Sequence, residues 1–155
     1  MPTGGPEALP PFGLTGDLPE GVYRATLAQA VERFGGETLQ RLAVANRLEH
    51  IYHTARSTGL LARLAVYGSF VTQKREPNDV DVFLIMEDSF DLAQVTGEAR
   101  LLFDHLAAQT HFGASVFWVR RVGCLPCALT VRGPASRSLS AATAAGHCAI
   151  VHARP

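Results

Sequence analysis

From Thr38 to Ser57 the apolar residues Leu39, Leu42, Ala45, Leu48, Ile51, Tyr52 and Ala55 recur three and four positions apart, the spacing of one helix face. Arg41, Arg47, Glu49 and Arg56 fall mainly between them and Gly59 follows as a stop, so the pattern predicts a helix over this span. A shorter helix is predicted at 26–34. There Thr26 and Gln29 have the separation of a capping box, in which the hydroxyl accepts from the amide three residues on while the Gln side chain reaches back, and Gly35-Gly36 ends the run. Leu61–Tyr67 and Val80–Met86 are apolar, rich in aliphatic and β-branched residues, and too short for helices of normal length; both predict strands.

Thr96 to Gln109 places Ala99, Leu102, Phe103, Leu106 and Ala107 at helical spacing, with Gly97 weakening the start and Gly113 as the stop. Ser115–Val119 reads as a third strand. The order helix, strand, strand, helix, strand predicts a small α/β (α+β) domain, a mixed sheet with flanking helices. Before it, the first 21 residues hold five prolines and five glycines and show no periodicity. After it, Ala135 to Ala145 is Ala- and Ser-rich with no firm period. The chain thus divides into an irregular lead-in at 1–21, a domain at 22–123 and a tail at 124–155 of unassigned structure.

Composition sharpens this picture in two ways. With 155 residues, 47% of them hydrophobic, the chain suits one core. The 14 basic and 14 acidic residues cancel, so no global positive field points to nucleic acid or an anionic membrane. Yet every acidic residue lies at or before Asp104, and residues 105–155 carry five arginines and no lysine. A nucleic-acid-binding arm is one reading of that tail; the arginines are dispersed and not interleaved with aromatics beyond Trp118, which weakens it. Three cysteines and no basic segment followed by an apolar stretch give the expectation of a reducing, cytoplasmic setting. No apolar run approaches the roughly 18 residues of a membrane span.

The stretch from Tyr67 to Val82 holds two devices. Gly68-Ser69 follows a strand, where the missing β-carbon lets backbone approach a ligand and where amides and a hydroxyl can hold a phosphate oxygen. Asp79 and Asp81 stand two apart, so on a strand both carboxylates face the same way and repel each other unless water, a cation or a proton intervenes. A hard divalent cation such as Mg²⁺ suits such an oxygen pair together with substrate phosphates. Taken singly, each device is as well explained by a plain turn or an exposed carboxylate; the spacing between them carries the chemistry.

Two further clusters point less far. Cys124-Leu125-Pro126-Cys127 with Cys148 and His152 has a spacing reminiscent of a structural zinc site, although His147 is an equal ligand and no turns frame the second pair. His50 and His53, three apart on the long helix, are better explained as an ordinary solvated face. Phe117 and Trp118 alternate on a strand, so one is expected in the core and the other is free to meet a partner or a base.

Gly68-Ser69, nine residues from Phe70 to Asn78, then Asp79-Val80-Asp81 resembles the pattern of the nucleotidyltransferase superfamily that includes DNA polymerase beta and the minimal nucleotidyltransferases. The wider runs from Leu18-Pro19-Glu20-Gly21-Val22-Tyr23 to Glu32-Arg33-Phe34-Gly35, and from Gly68 to Asp81, also look like small uncharacterised bacterial proteins attached to that superfamily; the resemblance covers about residues 18–120. It implies a nucleotidyltransferase-like core that passes a nucleoside monophosphate from an NTP to an acceptor hydroxyl, with Mg²⁺ as cofactor. Asp79 and Asp81 would be the catalytic and metal-holding pair. Gly68 and Ser69 would grip the phosphates, and Lys74 or Arg75 would offset further phosphate charge. The acceptor is not implied.

The family also places a third carboxylate on a later strand, and here the matching position reads Ser115. A serine is a poor Mg²⁺ ligand beside a carboxylate and no base at neutral pH without help. The alternative expectation is therefore a catalytically inactive binding or regulatory module. One half of a toxin–antitoxin pair working with a separate helical protein is an example implied by the minimal members.

Overall fold

A computed structural model describes residues 9–121 and the strand at 147–152. In chain order the elements are β1 (Gly21–Thr26), α1 (Leu27–Phe34), α2 (Leu39–Ser57), β2 (Leu61–Tyr67), β3 (Asp81–Met86), α3 (Glu98–Leu101), α4 (His105–Phe112), β4 (Ser115–Arg120) and β5 (His147–His152). The class expected from the sequence, a small mixed sheet with flanking helices, is the class observed. The five strands are ordered β1-β5-β2-β3-β4. Strand β1 runs antiparallel to β5, β5 parallel to β2, β2 antiparallel to β3, and β3 parallel to β4.

Local chemistry explains most boundaries. Thr26 and Gln29 form the full capping box at the start of α1, with bonds of 2.8 and 3.1 Å. Thr38 caps α2 by accepting from the Arg41 amide at 3.1 Å. The single helix expected at 96–109 is two, because Asp104 leaves the helical region and its side chain accepts from the Ala107 amide, opening a new helix at His105. Gly113 ends that helix in the left-handed conformation, φ 63°. Strand β1 lay in a stretch to which the sequence assigned no element, and its partner β5 comes from the tail.

One face of the sheet carries the core. Leu64 and Val66 on β2, Val82, Leu84 and Met86 on β3, and Val116 on β4 are buried in the same cluster as Val44, Leu48, Ile51 and Ala55 of α2 and Phe112 of α4. The alternating residues Asp81, Phe83 and Ile85 are only partly buried on the opposite face. The described part of the lead-in, Leu9 to Glu20, holds no helix or strand, yet it supplies Leu18 to the core, and Phe12 meets the Phe34 ring edge-on at 6.1 Å. Trp118 packs against the core and donates to the Phe103 carbonyl at 3.1 Å, whereas Phe117 is exposed and stacks on His105 at 4.8 Å. Among the described residues no helix is long and apolar enough to cross a membrane.

The inward stripe of α2 differs from the one read from spacing. Val44, Ala45, Leu48, Ile51, Tyr52 and Ala55 are buried as their periodicity requires, but Leu39 and Leu42 are exposed. Arg41 takes the inward place in the first turns instead and is 2% exposed.

Candidate nucleotide and metal site

The site is assembled by strand ends. Strand β2 delivers Tyr67, after which Gly68 turns at φ 76° and opens a short 3-10 turn through Val71. Tyr67 pairs in register with Asp81, and Asp81 with Ser115. Direct cross-strand partners project from one face, so Tyr67, Asp81 and Ser115 stand side by side on the face away from the helices. A β-carbon built at Gly68 would collide with Asp81 Oδ2 and lie 2.9 Å from its Cγ. The glycine is thus demanded twice, by its positive φ and by the carboxylate filling the space beside it.

Asp79 joins the group just before β3. Ser115 Oγ lies 3.4 Å from Asp79 Oδ2 and donates to it. Burial first, and the neighbouring Asp79 charge second, push the Asp81 carboxyl above the ordinary range, with a Ser115 hydrogen bond pulling the other way. The Tyr67 phenol is pushed up by burial and by Asp81. Both directions follow from a partly dry patch in which Asp81 lies beside the Asp79 carboxylate and Tyr67 beside Asp81.

Of the residues singled out in the sequence, Gly68, Asp79, Asp81 and Ser115 come together. Ser69 follows Gly68 in the turn; its carbonyl accepts from the Thr72 amide and hydroxyl at 3.3 and 2.7 Å, and its own hydroxyl has no partner among the described residues. Lys74 lies on the exposed spacer loop, its amine likewise unpaired among the described residues. A cleft of about 480 Å³ opens between the lead-in turn, with Thr15 and Asp17, and Thr72–Lys74. The carboxylates do not line it; both are half-buried beside the end of β2.

Sequence reasoning missed how the spacer loop is held. Gln40 donates to the Pro77 carbonyl at 2.9 Å, and Thr38 to the Arg75 carbonyl at 3.4 Å. Arg47 reaches the carbonyls of both Asn78 and Gly113 at 3.3 Å, tying the residue before Asp79 to the turn before Ser115. Arg41 donates to the carbonyls of Phe34, Phe70, Thr72 and Lys74. A polar residue on a helix carries no signal in one dimension that its targets are backbone oxygens of a distant loop.

Residues 10–124 match a family of unknown function, DUF6932. The chain belongs to that family. The match covers β1 through β4 and every residue of the site, and it stops before β5. Comparison with curated proteins and with solved structures returns no match.

The remaining clusters of this DUF6932 member lie elsewhere. His50 and His111 both contact Glu98 Oε1, at 3.0 and 2.8 Å, joining α2, α3 and α4 on the surface. His53 meets Tyr52 edge-on. Cys124 and Cys127 lie outside the described residues, as do Arg132, Arg137 and Arg154, while Cys148 and His152 fall on β5. Among the described residues no group of three or more His, Cys, Asp or Glu side chains is placed to hold a metal ion.

Proposed function

We propose that this protein is a Mg²⁺-dependent, nucleotidyltransferase-like protein that takes an NTP as its ligand. The observation that carries this reading is the convergence of Gly68, Asp79, Asp81 and Ser115. A turn with no side chain abuts a carboxylate pair whose like charges a cation would offset.

The residues present fit one hard cation. Asp79 and Asp81 offer carboxylate oxygens, the donor type a hard divalent ion takes, and a cation between them would offset their repulsion. Bound there, Mg²⁺ would lower the charge cost of bringing a triphosphate to the two acids. The set falls short of what two cations need, since Ser115 stands where the resemblance expects a third acid.

The chain's own groups then divide the work. Gly68 lets the turn close against the Asp81 carboxylate, and the Ser69 hydroxyl, unpaired among the described residues, donates to a phosphate oxygen. Lys74 contributes a solvated positive charge near the end of the same loop. In transfer, an acceptor hydroxyl forms a bond to the α-phosphorus, the bond to pyrophosphate breaks, and the proton of the acceptor must leave. Ser115 is unsuited to take that proton, having no basicity at neutral pH.

Ser115 favours a second reading, a nucleotide-binding regulatory module without turnover, working in the cytoplasm with a separate protein. The experiment is titration of an NTP mixture with Mg²⁺ by calorimetry on the wild type and on Asp79→Ala/Asp81→Ala, followed by pyrophosphate release with candidate acceptors. Binding lost in the double variant supports the site, and pyrophosphate release separates enzyme from module. A wild type that binds no NTP overturns both.

A further inference from the structure

Arg41 occupies a buried position on the inward side of α2, a place that apolar residues ordinarily fill. Its Nη1 donates to Phe34 O at 2.8 Å and Phe70 O at 3.0 Å, and its Nη2 to Thr72 O at 2.6 Å and to Lys74 O. The first acceptor is the last residue of α1, whose carbonyls have no partner within that helix. The other three are alternate residues of the loop that leaves Gly68-Ser69. The guanidinium also lies 5.9 Å from the Phe70 ring centre, and Phe70 is itself fully buried.

Burying an arginine without a paired carboxylate is costly. Burial pulls the Arg41 guanidinium below its ordinary value, and Glu37 opposes that only through space. Its Nε has no hydrogen-bond partner. Carbonyl dipoles satisfy the other donors and leave the unit charge uncancelled. A neutral side chain could fill this place at lower cost if packing were its only task.

We infer that Arg41 is a positioning residue for a polyphosphate grip: it fixes the loop Gly68–Lys74 in its binding shape before ligand arrives and lends it a buried positive charge. The ligand class is a chain of phosphates, the part of a nucleotide that Gly68, Ser69 and Lys74 would meet, so the inference deepens the nucleotide reading and rests on it. Planar, two-pronged donation is what lets one side chain hold carbonyls two and four residues apart; a lysine keeps the charge and loses the fork. Lys74, exposed on a loop, thereby acquires a fixed origin for its side chain. A grip ordered in advance spares the ligand the entropy of ordering five or so residues.

The test uses the full chain, with Arg41→Lys and Arg41→Met beside the wild type. Backbone amide exchange of residues 68–75, followed without ligand, should quicken about tenfold or more in both variants, while 81–86 and 105–112 keep their protection. Calorimetry with Mg²⁺ then uses two probes, ATP and inorganic tripolyphosphate. Both affinities should fall about tenfold in Arg41→Lys and further in Arg41→Met. Unchanged loop exchange, or a loosened loop with unchanged affinity, overturns the inference.

Wild-type protein that binds tripolyphosphate and no nucleotide overturns the nucleotide reading, and the preorganised phosphate grip then stands if tripolyphosphate affinity falls in the Arg41 variants as their loop loosens and falls with that reading if it does not. Binding of neither overturns both. Should the Arg41 variants fail to fold, Thr72→Val serves: the Thr72 hydroxyl donates to Ser69 O at 2.7 Å and accepts from the Lys74 amide at 3.1 Å. Its loss loosens the same loop with Arg41 in place. Faster loop exchange with weakened tripolyphosphate binding then sustains the preorganised grip, and full affinity with a loosened loop refutes it.

Discussion

Asp81 fills the space that a side chain at Gly68 would need, so the turn after β2 and the first residue of β3 are shaped against each other. Gly68→Ala must both hold an L residue at φ 76° and displace the carboxylate. The left-handed backbone alone costs about 1–2 kcal/mol. Urea unfolding should show a loss of at least that size, and calorimetry a loss of NTP binding. A variant as stable as the wild type would mean that Gly68 and Asp81 are not in this contact in solution.

Asp81 makes stability depend on pH in a direction that can be worked out. Burial and Asp79 raise its folded value above that of the unfolded chain, so between the two values the native state holds the proton more tightly. Stability contributed by the neutral acid is present at low pH, falls as pH rises through that window, and stays lower at neutral pH. Asp81→Asn should therefore have a higher thermal midpoint than the wild type at pH 7, with the difference shrinking below the ordinary carboxylate range. Added Mg²⁺ should raise the wild-type midpoint and leave that of Asp81→Asn nearly unmoved. A less stable Asn variant at pH 7 would contradict the cause assigned to the shift.

Ser115→Asp places an acid at the position paired with Asp81. Without cation, a third carboxylate beside Asp79 should lower the thermal midpoint, and Mg²⁺ should recover it. If the missing acid is the sole defect, pyrophosphate release with an acceptor should rise by about 10²-fold. No rise, with NTP binding intact, favours the regulatory module.

Asp104 splits what spacing reads as one helix. Asp104→Ala removes the cap on Ala107 and should cost about 1 kcal/mol by chemical denaturation, without changing ligand affinity. A neutral result would mean that α4 is held by packing alone.

Glu98 is held below the ordinary carboxylate range chiefly by its hydrogen bond to His111, then by His50. A folded value below the unfolded one gives stability that is present above the unfolded value and is lost as pH falls through the folded one. Glu98→Gln should flatten that part of the acid-side profile, and a profile that overlays the wild type would show the cluster to be without effect on the fold.

Local patterns determined much of this protein. The Thr26–Gln29 box fixed the start of α1, and the apolar runs fixed β2 at both ends and β3 and β4 to within one residue. Three- and four-residue spacing found α2, and alternation set Asp81 on the face away from the core. These features depend on neighbours in sequence, whose geometry is set by backbone period.

Tertiary structure alone decided the rest. Which strands pair, and in what register, follows from burying all the apolar faces together, so only the assembled sheet sets Ser115 against Asp81 and draws Gly68 up to the Asp81 carboxylate. The period of α2 could not say that Arg41, rather than Leu39 or Leu42, turns inward. That choice depends on the carbonyls of Phe70, Thr72 and Lys74 arriving beneath it, and backbone oxygens are the same in every sequence.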